Sequence, residues 1–341
     1  MSAAGQIKRI NPAAAIPGGE LLVECEGFDT SRSGMYHVLI GEERARLVGA
    51  SPRRVLAVVP ESAAGRAVEV RLESMGVYSP PARVLVGKLV AEDLHMVASP
   101  AFDPEDGSLY VTRSGSRGHR EPVSLFRVGA SGELQDVTGE IVNPTGLAFD
   151  AGGQLFVTSR NDGTVYRVTK LDEAVPFARN LGVATGLAFD RRGRMYVGDR
   201  GGRILRVNGI GEASEWATLE QSVAAYHIAF GADGALYVAA PTVSSHEAIT
   251  RIDEDGHKEV FFRGLGRPGG LAFDAEGNLY VAASYRGRRG IVRITRGGES
   301  AELVVAGFNV IGLAFSRDGA LAVATNEAVY SLPLGIRGTL G

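Results

Sequence analysis

Hydrophobic and polar residues alternate in short runs along the whole chain, and turn-forming residues separate the runs. Residues 143–168, NPTGLAFDAGGQLFVTSRNDGTVYRV, show the arrangement. Two apolar runs, GLAF and LFV, flank a turn of the form D-x-x-G, and a third run, TVYRV, follows a polar loop. Short alternating runs bounded by Gly, Asp and Asn are typical of β-strands joined by tight turns. This stretch therefore predicts three antiparallel strands.

The same arrangement occurs six times after residue 95. The copies align on Phe102, Phe149, Phe189, Phe230, Phe273 and Phe315, at spacings of 47, 40, 41, 43 and 42 residues. A period of this length that contains several short strands predicts a β-propeller, in which each blade buries its faces against its neighbours. The last copy is too short to supply its own fourth strand. We expect a segment within residues 84–93 to complete that blade and close the ring, which removes two exposed sheet edges.

The first 88 residues follow a different pattern. About seven short apolar runs, among them ELLVECEGF and RVLAVVP, are separated by Gly, Pro and Ser, and they predict a small sandwich of two antiparallel sheets. The segment resembles the IPT/TIG immunoglobulin-like domain at Ile10, Pro12, Gly18, Gly19, Gly27, Phe28, Val59, Pro60 and Gly65. This resemblance implies a spacer or a partner-binding module.

The predicted fold class is therefore all-β, a small immunoglobulin-like β-sandwich plus a six-bladed β-propeller. The expected domains are residues 1–88 and residues 89–341.

Composition limits the partners and the covalent cross-links of the chain. The 341 residues carry a formal net charge of -3, which argues against a polyanionic partner for the chain as a whole. The single cysteine, Cys25, excludes an intrachain disulfide, and its alternating context predicts a small buried side chain.

The sequence also bears on location. The N-terminus lacks the apolar core of a signal peptide, and no apolar run approaches the roughly 18 residues of a membrane span. We expect a cytoplasmic protein with no membrane partner.

The repeats are similar to those of NHL and gluconolactonase-like six-bladed propellers. The gluconolactonase resemblance implies a lactone hydrolase whose bound Ca²⁺ or Zn²⁺ is held by carboxylate and amide side chains at the start of the inner strands. Such cations require converging oxygen donors. The equivalent positions here are Ala98, Thr145, Thr185, Tyr226, Gly269 and Ile311. Asn143 and Asn309 lie two residues upstream. We therefore expect no metal and no cofactor, and the metal-dependent lactonase remains the alternative.

Charge is divided unequally between the two ends of the predicted ring. The loops between second and third strands hold nine arginines and five acidic residues, whereas the turns and hairpins at the opposite end hold eighteen acidic and seven basic residues. Arg113, Arg160, Arg200 and Arg286 follow the second strand in four different blades, so ring geometry would direct them toward one rim. The planar guanidinium group suits carboxylate or phosphate.

These observations predict an anion-binding funnel. Its candidate residues are His95, Arg113, Asn143, Thr145, Arg160, Thr185, Arg200, Tyr226, His227 and Arg286. In the alternative interpretation the arginines are solvated or pair with acids such as Asp162 and Asp199. His227 is either a core histidine or a ligand or general base.

No common catalytic motif is present, since the sequence lacks a nucleophile elbow, an HExxH pair and a phosphate-binding glycine loop. The predicted function is therefore recognition of a small anionic molecule or a protein surface. Single-stranded RNA is a second alternative, because some NHL propellers bind it. That mode requires aromatic side chains among the basic ones, and only Tyr226 and Tyr285 offer themselves.

Overall fold

The computed structural model describes residues 4–32, 34–95, 99–115, 119–129, 132–243 and 247–339. Within these ranges the chain forms thirty-four β-strands and one 3-10 turn at Glu61–Ala63. None of the helical structure in the described residues is long and apolar enough to cross a membrane. The prediction of an all-β chain is confirmed.

The first ten strands form two sheets around one core. They are β1 (Gln6–Asn11), β2 (Ala14–Ala15), β3 (Glu20–Glu26), β4 (Tyr36–Ile40), β5 (Glu43–Arg44), β6 (Arg46–Ala50), β7 (Arg54–Val58), β8 (Ala67–Ser74), β9 (Val77–Tyr78) and β10 (Ala82–Val86). One sheet has the order β1-β3-β7-β6, and the other contains β2-β10-β8-β4-β5. Alternate side chains of β3 and β8, such as Leu21, Val23 and Val70, share the core with Cys25, which is buried as predicted.

The remaining strands form six four-stranded antiparallel sheets. Five of these blades are consecutive in sequence. Blade one contains β12 (Ala101–Phe102), β13 (Leu109–Thr112), β14 (Leu125–Val128) and β15 (Leu134–Thr138). Blade two contains β16 (Pro144–Phe149), β17 (Leu155–Ser159), β18 (Thr164–Val168) and β19 (Ala174–Ala178). Blade three contains β20 (Ala184–Phe189), β21 (Met195–Asp199), β22 (Arg203–Val207) and β23 (Ala213–Thr218). Blade four contains β24 (His227–Phe230), β25 (Leu236–Ala239), β26 (Glu247–Ile252) and β27 (Lys258–Gly266). Blade five contains β28 (Leu271–Phe273), β29 (Leu279–Tyr285), β30 (Arg288–Ile294) and β31 (Ala301–Ala306).

The sixth blade combines β32 (Val310–Phe315), β33 (Leu321–Thr325) and β34 (Val329–Leu332) with β11 (Lys88–Ala91). Strand β11 pairs antiparallel with β34, so that Lys88 faces Ser331 and Leu89 faces Tyr330. The prediction of a closing strand is thus confirmed for residues 88–91. Residues 82–86 belong instead to β10 of the first sheet pair. Inner strands contact one another in cyclic order, and β32 contacts β12, so the ring is closed.

The N-terminal strands join the ring at blade five. Strand β2 lies between β10 and β31 and runs parallel to both, which makes one continuous sheet from the N-terminal strands into that blade. The Arg288 guanidinium donates hydrogen bonds to the backbone oxygen of Asn11 at 2.7 Å and to its side-chain oxygen at 2.9 Å. Ala306 of β31 packs into the N-terminal core. The two parts are therefore joined by backbone pairing and by side-chain packing.

Candidate anion-binding site

A cavity of about 820 Å³ opens at the end of the channel where the inner strands begin. Four arginines line it, namely Arg160, Arg200, Arg267 and Arg289. Glu247 is the one acidic residue among the described residues that line it. The wall thus carries a clear excess of positive charge, although the chain as a whole is slightly negative.

Arg160 and Arg200 are close enough to repel each other. Burial lowers the pKa of Arg160, and the charge of Arg200 lowers it further. The acids expected to neutralise them have other partners: Asp162 accepts a hydrogen bond from the Tyr166 hydroxyl at 2.6 Å, and Asp199 pairs with Arg203 at 2.6 Å. The pairing alternative from the sequence therefore does not describe these two arginines.

None of the ion pairs found among the described residues includes one of the four cavity arginines. Arg289 stacks on Phe308, with its guanidinium carbon 5.3 Å from the ring centre. Arginines without an acidic partner that line one concave space are an arrangement suited to carboxylate or phosphate.

The sequence interpretation missed Arg267. This residue lies two positions before Gly269, as Asn143 lies before Thr145 and Asn309 before Ile311 at the aligned repeat positions. All three have left-handed backbone conformations, with φ of 47°, 49° and 51°. A polar residue two positions before the aligned position is therefore a usable signal for Arg267 as well as for the two asparagines. Asn309 also lines the cavity.

Glu247 begins the third strand of blade four and is 8% exposed. Its Oε2 atom has no hydrogen-bond partner among the described residues. Burial raises the pKa of Glu247, and this effect is partly offset by a backbone hydrogen bond from Arg267 and by the charge of that arginine. A buried carboxylate oxygen without a hydrogen-bond partner costs free energy, and the charge of Arg267 offsets part of that cost.

Replacing Glu247 by Gln is expected to strengthen anion binding in a pH-dependent way. Above the raised pKa of Glu247 the carboxylate is ionised and repels a bound anion, whereas glutamine is neutral at every pH. We expect E247Q to bind a test anion about three- to tenfold tighter than wild type at pH 8, and the gain to disappear at acidic pH. Isothermal titration calorimetry across pH 5–8 measures this.

Thermal stability gives a second readout for E247Q. Because the folded-state pKa of Glu247 is raised above its usual value of 4.5, wild-type stability falls as pH rises from 4.5 through the raised value. The variant should not show this loss. The matched control is Glu327→Gln, an exposed acid in a loop at the same end of the ring that does not line the cavity. Equal pH profiles for E247Q and wild type would contradict the assignment.

His227 stands where this cavity meets a second one of about 220 Å³ farther along the channel, since it lines both. The residue is half-buried in the channel wall, and desolvation lowers the pKa of His227 to about 4. The imidazole is therefore neutral at pH 7 and offers a hydrogen bond rather than a charge. Thr185 also lines both cavities.

Residues near the C-terminus contribute to the wall of the channel at its far end. Gly338 and Thr339 line the second cavity, and the Thr339 backbone donates a hydrogen bond to the Phe273 oxygen at 3.0 Å. The arginine-lined opening is consequently the end at which a ligand would meet the larger cavity.

Five of the ten predicted site residues lie around the cavity: Thr145, Arg160, Thr185, Arg200 and His227. The side-chain hydroxyls of the two threonines form hydrogen bonds with neighbouring protein groups. The Thr145 hydroxyl bonds to Thr158 Oγ1 at 2.9 Å and to the Ala184 oxygen at 3.1 Å, which links blades two and three.

Tyr226 differs from the expectation because it belongs to the core. It is fully buried, its hydroxyl donates to the Glu220 backbone oxygen, and its backbone nitrogen donates to Thr185 Oγ1 at 3.0 Å. Burial, with the charges of Asp199 and Glu220, raises the pKa of Tyr226 to about 12. Its ring is therefore not a stacking surface for a nucleobase.

Asn143, His95, Arg113 and Arg286 also lie outside the cavity lining. Asn143 is buried, and its side-chain oxygen has no partner among the described residues. His95 is exposed. The Arg113 guanidinium donates to the Asp93 oxygen at 2.7 Å and stacks on Phe126. Arg286 is exposed and stacks on Tyr285, with its guanidinium carbon 5.1 Å from the ring centre.

The positions that hold the metal in gluconolactonase-like propellers do not supply oxygen ligands of the required kind here. Ala98 lies outside the described residues, and the others are Thr145, Thr185, Tyr226, Gly269 and Ile311. In the described part of the chain, the one cluster of three metal-binding side chains is Asp253, Asp255 and His257. That cluster lies in the hairpin between β26 and β27, at the end of the ring away from the arginines. The aligned positions among the described residues therefore lack the carboxylate and amide ligands that the resemblance implies at those places.

Solved structures resemble this chain over most of its length. A gluconolactonase from Xanthomonas campestris is 18% identical, with 72% of this chain and 88% of that chain covered and a TM-score of 0.59. An auxiliary nutrient binding protein from Bacteroides thetaiotaomicron is 15% identical, with coverage of 96% and 97% and a TM-score of 0.56. A virginiamycin B lyase from Staphylococcus aureus is 13% identical, with coverage of 87% and 98% and a TM-score of 0.52.

These similarities establish the propeller fold. No protein-family model and no curated protein matches the sequence. The chain therefore shares an architecture with binding proteins, hydrolases and lyases, and its own residues have to indicate its function.

Proposed function

We propose that this propeller binds a small anionic molecule, a carboxylate or phosphate compound, in the cavity lined by Arg160, Arg200, Arg267 and Arg289. The observation that carries the proposal is that half-buried Arg160 and exposed Arg200 line one cavity, where their charges repel each other and neither has an acidic partner among the described residues. Such an arrangement raises the free energy of the empty protein. A bound anion relieves this cost, so the repulsion between the two arginines favours anion binding.

The size of the cavity supports a small organic ligand. Its volume of about 820 Å³ lies within the range of roughly 300–1,000 Å³ that is usual for small-molecule sites. A small molecule is large enough to fill this cavity, so the proposal requires neither a protein partner nor single-stranded RNA. The two aromatic side chains considered for RNA are engaged in other contacts, because Tyr226 is buried and Arg286 stacks on Tyr285. This argues against binding of single-stranded RNA.

Hydrolysis of a lactone at a bound divalent cation is the second candidate, because a gluconolactonase is among the structural neighbours. Glu247, Asn309 and Asn326 are the carboxylate and amide side chains that line the cavity. Titration calorimetry of purified protein with a panel of carboxylates and phosphates, with and without a chelator, separates the two functions. Binding that persists with the chelator is the expected result. A stoichiometric divalent ion that the chelator removes together with lactone hydrolysis would establish the enzyme instead.

The N-terminal part is proposed to form a domain of residues 1–88, with the propeller at 89–341. Its two sheets and their common core support an immunoglobulin-like sandwich that serves as a spacer or partner-binding module. The alignment with the auxiliary nutrient binding protein covers 96% of this chain and so includes most of this N-terminal part. A cytoplasmic location stays a prediction from the sequence.

A further inference from the structure

The cavity has an apolar side as well as a cationic one. Val183 and Val223 line it, and their residues are 38% and 55% exposed. Ala224, Ala225 and Pro241 extend the same surface between blades three and four. Solvent-exposed valines are ordinary when they are scattered, but a contiguous apolar wall within a recess indicates a surface that a ligand covers.

This apolar wall, defined as residues 183, 223–225 and 241, is fixed directly beside Arg200. The Arg200 backbone nitrogen donates to the Val183 oxygen at 3.0 Å, and its backbone oxygen accepts from Ser222 at 3.1 Å. Val223 is held in turn by a hydrogen bond from its nitrogen to the Pro241 oxygen at 2.8 Å. The two valines therefore lie close to the Arg200 backbone, and all three residues line the same cavity.

We infer that the ligand is an amphipathic anion, whose charged group contacts Arg160 and Arg200 and whose alkyl or aryl part covers the apolar wall. This inference rests on the proposed anion-binding function and narrows its ligand class. Highly hydroxylated anions such as sugar acids would leave Val183 and Val223 in contact with polar groups. The volume of the cavity exceeds what a carboxylate group alone would fill, so the apolar part has room.

A chain-length series of monocarboxylates tests the inference. The probes are butanoate, hexanoate and octanoate, compared with gluconate, which carries the same charge on a polar chain. We expect affinity to rise roughly two- to fourfold for each added methylene group that the wall covers. The double variant V183T/V223T keeps side-chain shape while replacing one methyl group of each valine with a hydroxyl, and it should flatten this dependence by weakening octanoate binding more than gluconate binding.

Val243→Thr is the matched control. Val243 is 88% exposed, lies in the neighbouring loop and does not line the cavity, so this variant should retain the wild-type chain-length dependence. Equal affinities of wild type for gluconate and the alkyl carboxylates would overturn the inference and leave the proposed function standing. Failure of wild type to bind any of the four carboxylates would overturn the inference, whereas the proposed function would be overturned only if the wider panel of carboxylates and phosphates also failed to bind.

Discussion

Replacing both Arg160 and Arg200 by glutamine is expected to abolish measurable anion binding. A hydrogen bond to a charged group contributes about 1.5–3 kcal/mol, so each single variant should lose roughly 10- to 100-fold in affinity, and the double variant more than either. The ligand-free variants should be no less stable than wild type, because each substitution removes one of two groups that repel each other. Titration calorimetry gives the affinities, and thermal unfolding gives the stabilities.

The chain offers a close control for this experiment. Arg113 and Arg286 occupy corresponding loops in other blades but stack on Phe126 and Tyr285 and do not line the cavity. The double variant R113Q/R286Q changes the net charge by the same amount. If it weakens binding as much as R160Q/R200Q does, general electrostatic attraction accounts for the effect and the cavity assignment is wrong. Unchanged binding in R160Q/R200Q would also contradict the assignment.

The ring could be predicted from the sequence because the residue pattern that produces each blade is repeated. Each copy places an apolar inner strand, a tight turn and a second strand in one order, and a blade can bury its faces only against another blade. The incomplete last copy likewise predicted the closing strand. The contribution of β2 was not predictable, since Ala14 and Ala15 are two small residues whose pairing with blade five depends on contacts about 290 residues away in sequence.

The site was predicted less completely, because loop position does not determine side-chain direction. Arg160 and Arg113 follow the second strand at similar distances, yet Arg160 reaches the cavity and Arg113 turns to the Asp93 backbone. Tyr226 occupies the same repeat position as Thr145 but is large enough to fill the space between blades and therefore enters the core. Sequence pattern identified the end of the ring at which the arginine-lined cavity opens, and local packing decided which side chains line it.

Replacing Gly146 by alanine is expected to cause the largest loss of stability among the single changes considered. A Cβ atom there would lie 2.5 Å from the Thr185 oxygen and 3.1 Å from the Leu187 backbone nitrogen, both on the next inner strand. Because the ring is closed, that strand cannot shift without disturbing its own neighbour. Overpacking of this kind costs about 3 kcal/mol. The melting temperature should fall by roughly 6–12 °C for a domain of this size.

Gly209→Ala provides the comparison for G146A, because Gly209 lies in an outer hairpin of blade three, has no left-handed φ, and an added Cβ there meets no atom within 4 Å. That variant should unfold within about 2 °C of wild type, since surface changes without such contacts usually alter stability by less than 0.5 kcal/mol. Differential scanning calorimetry measures both. If G146A and G209A have the same melting temperature, the inner strands have freedom to separate. The conclusion that close packing holds the cavity residues of neighbouring blades in place would then be wrong.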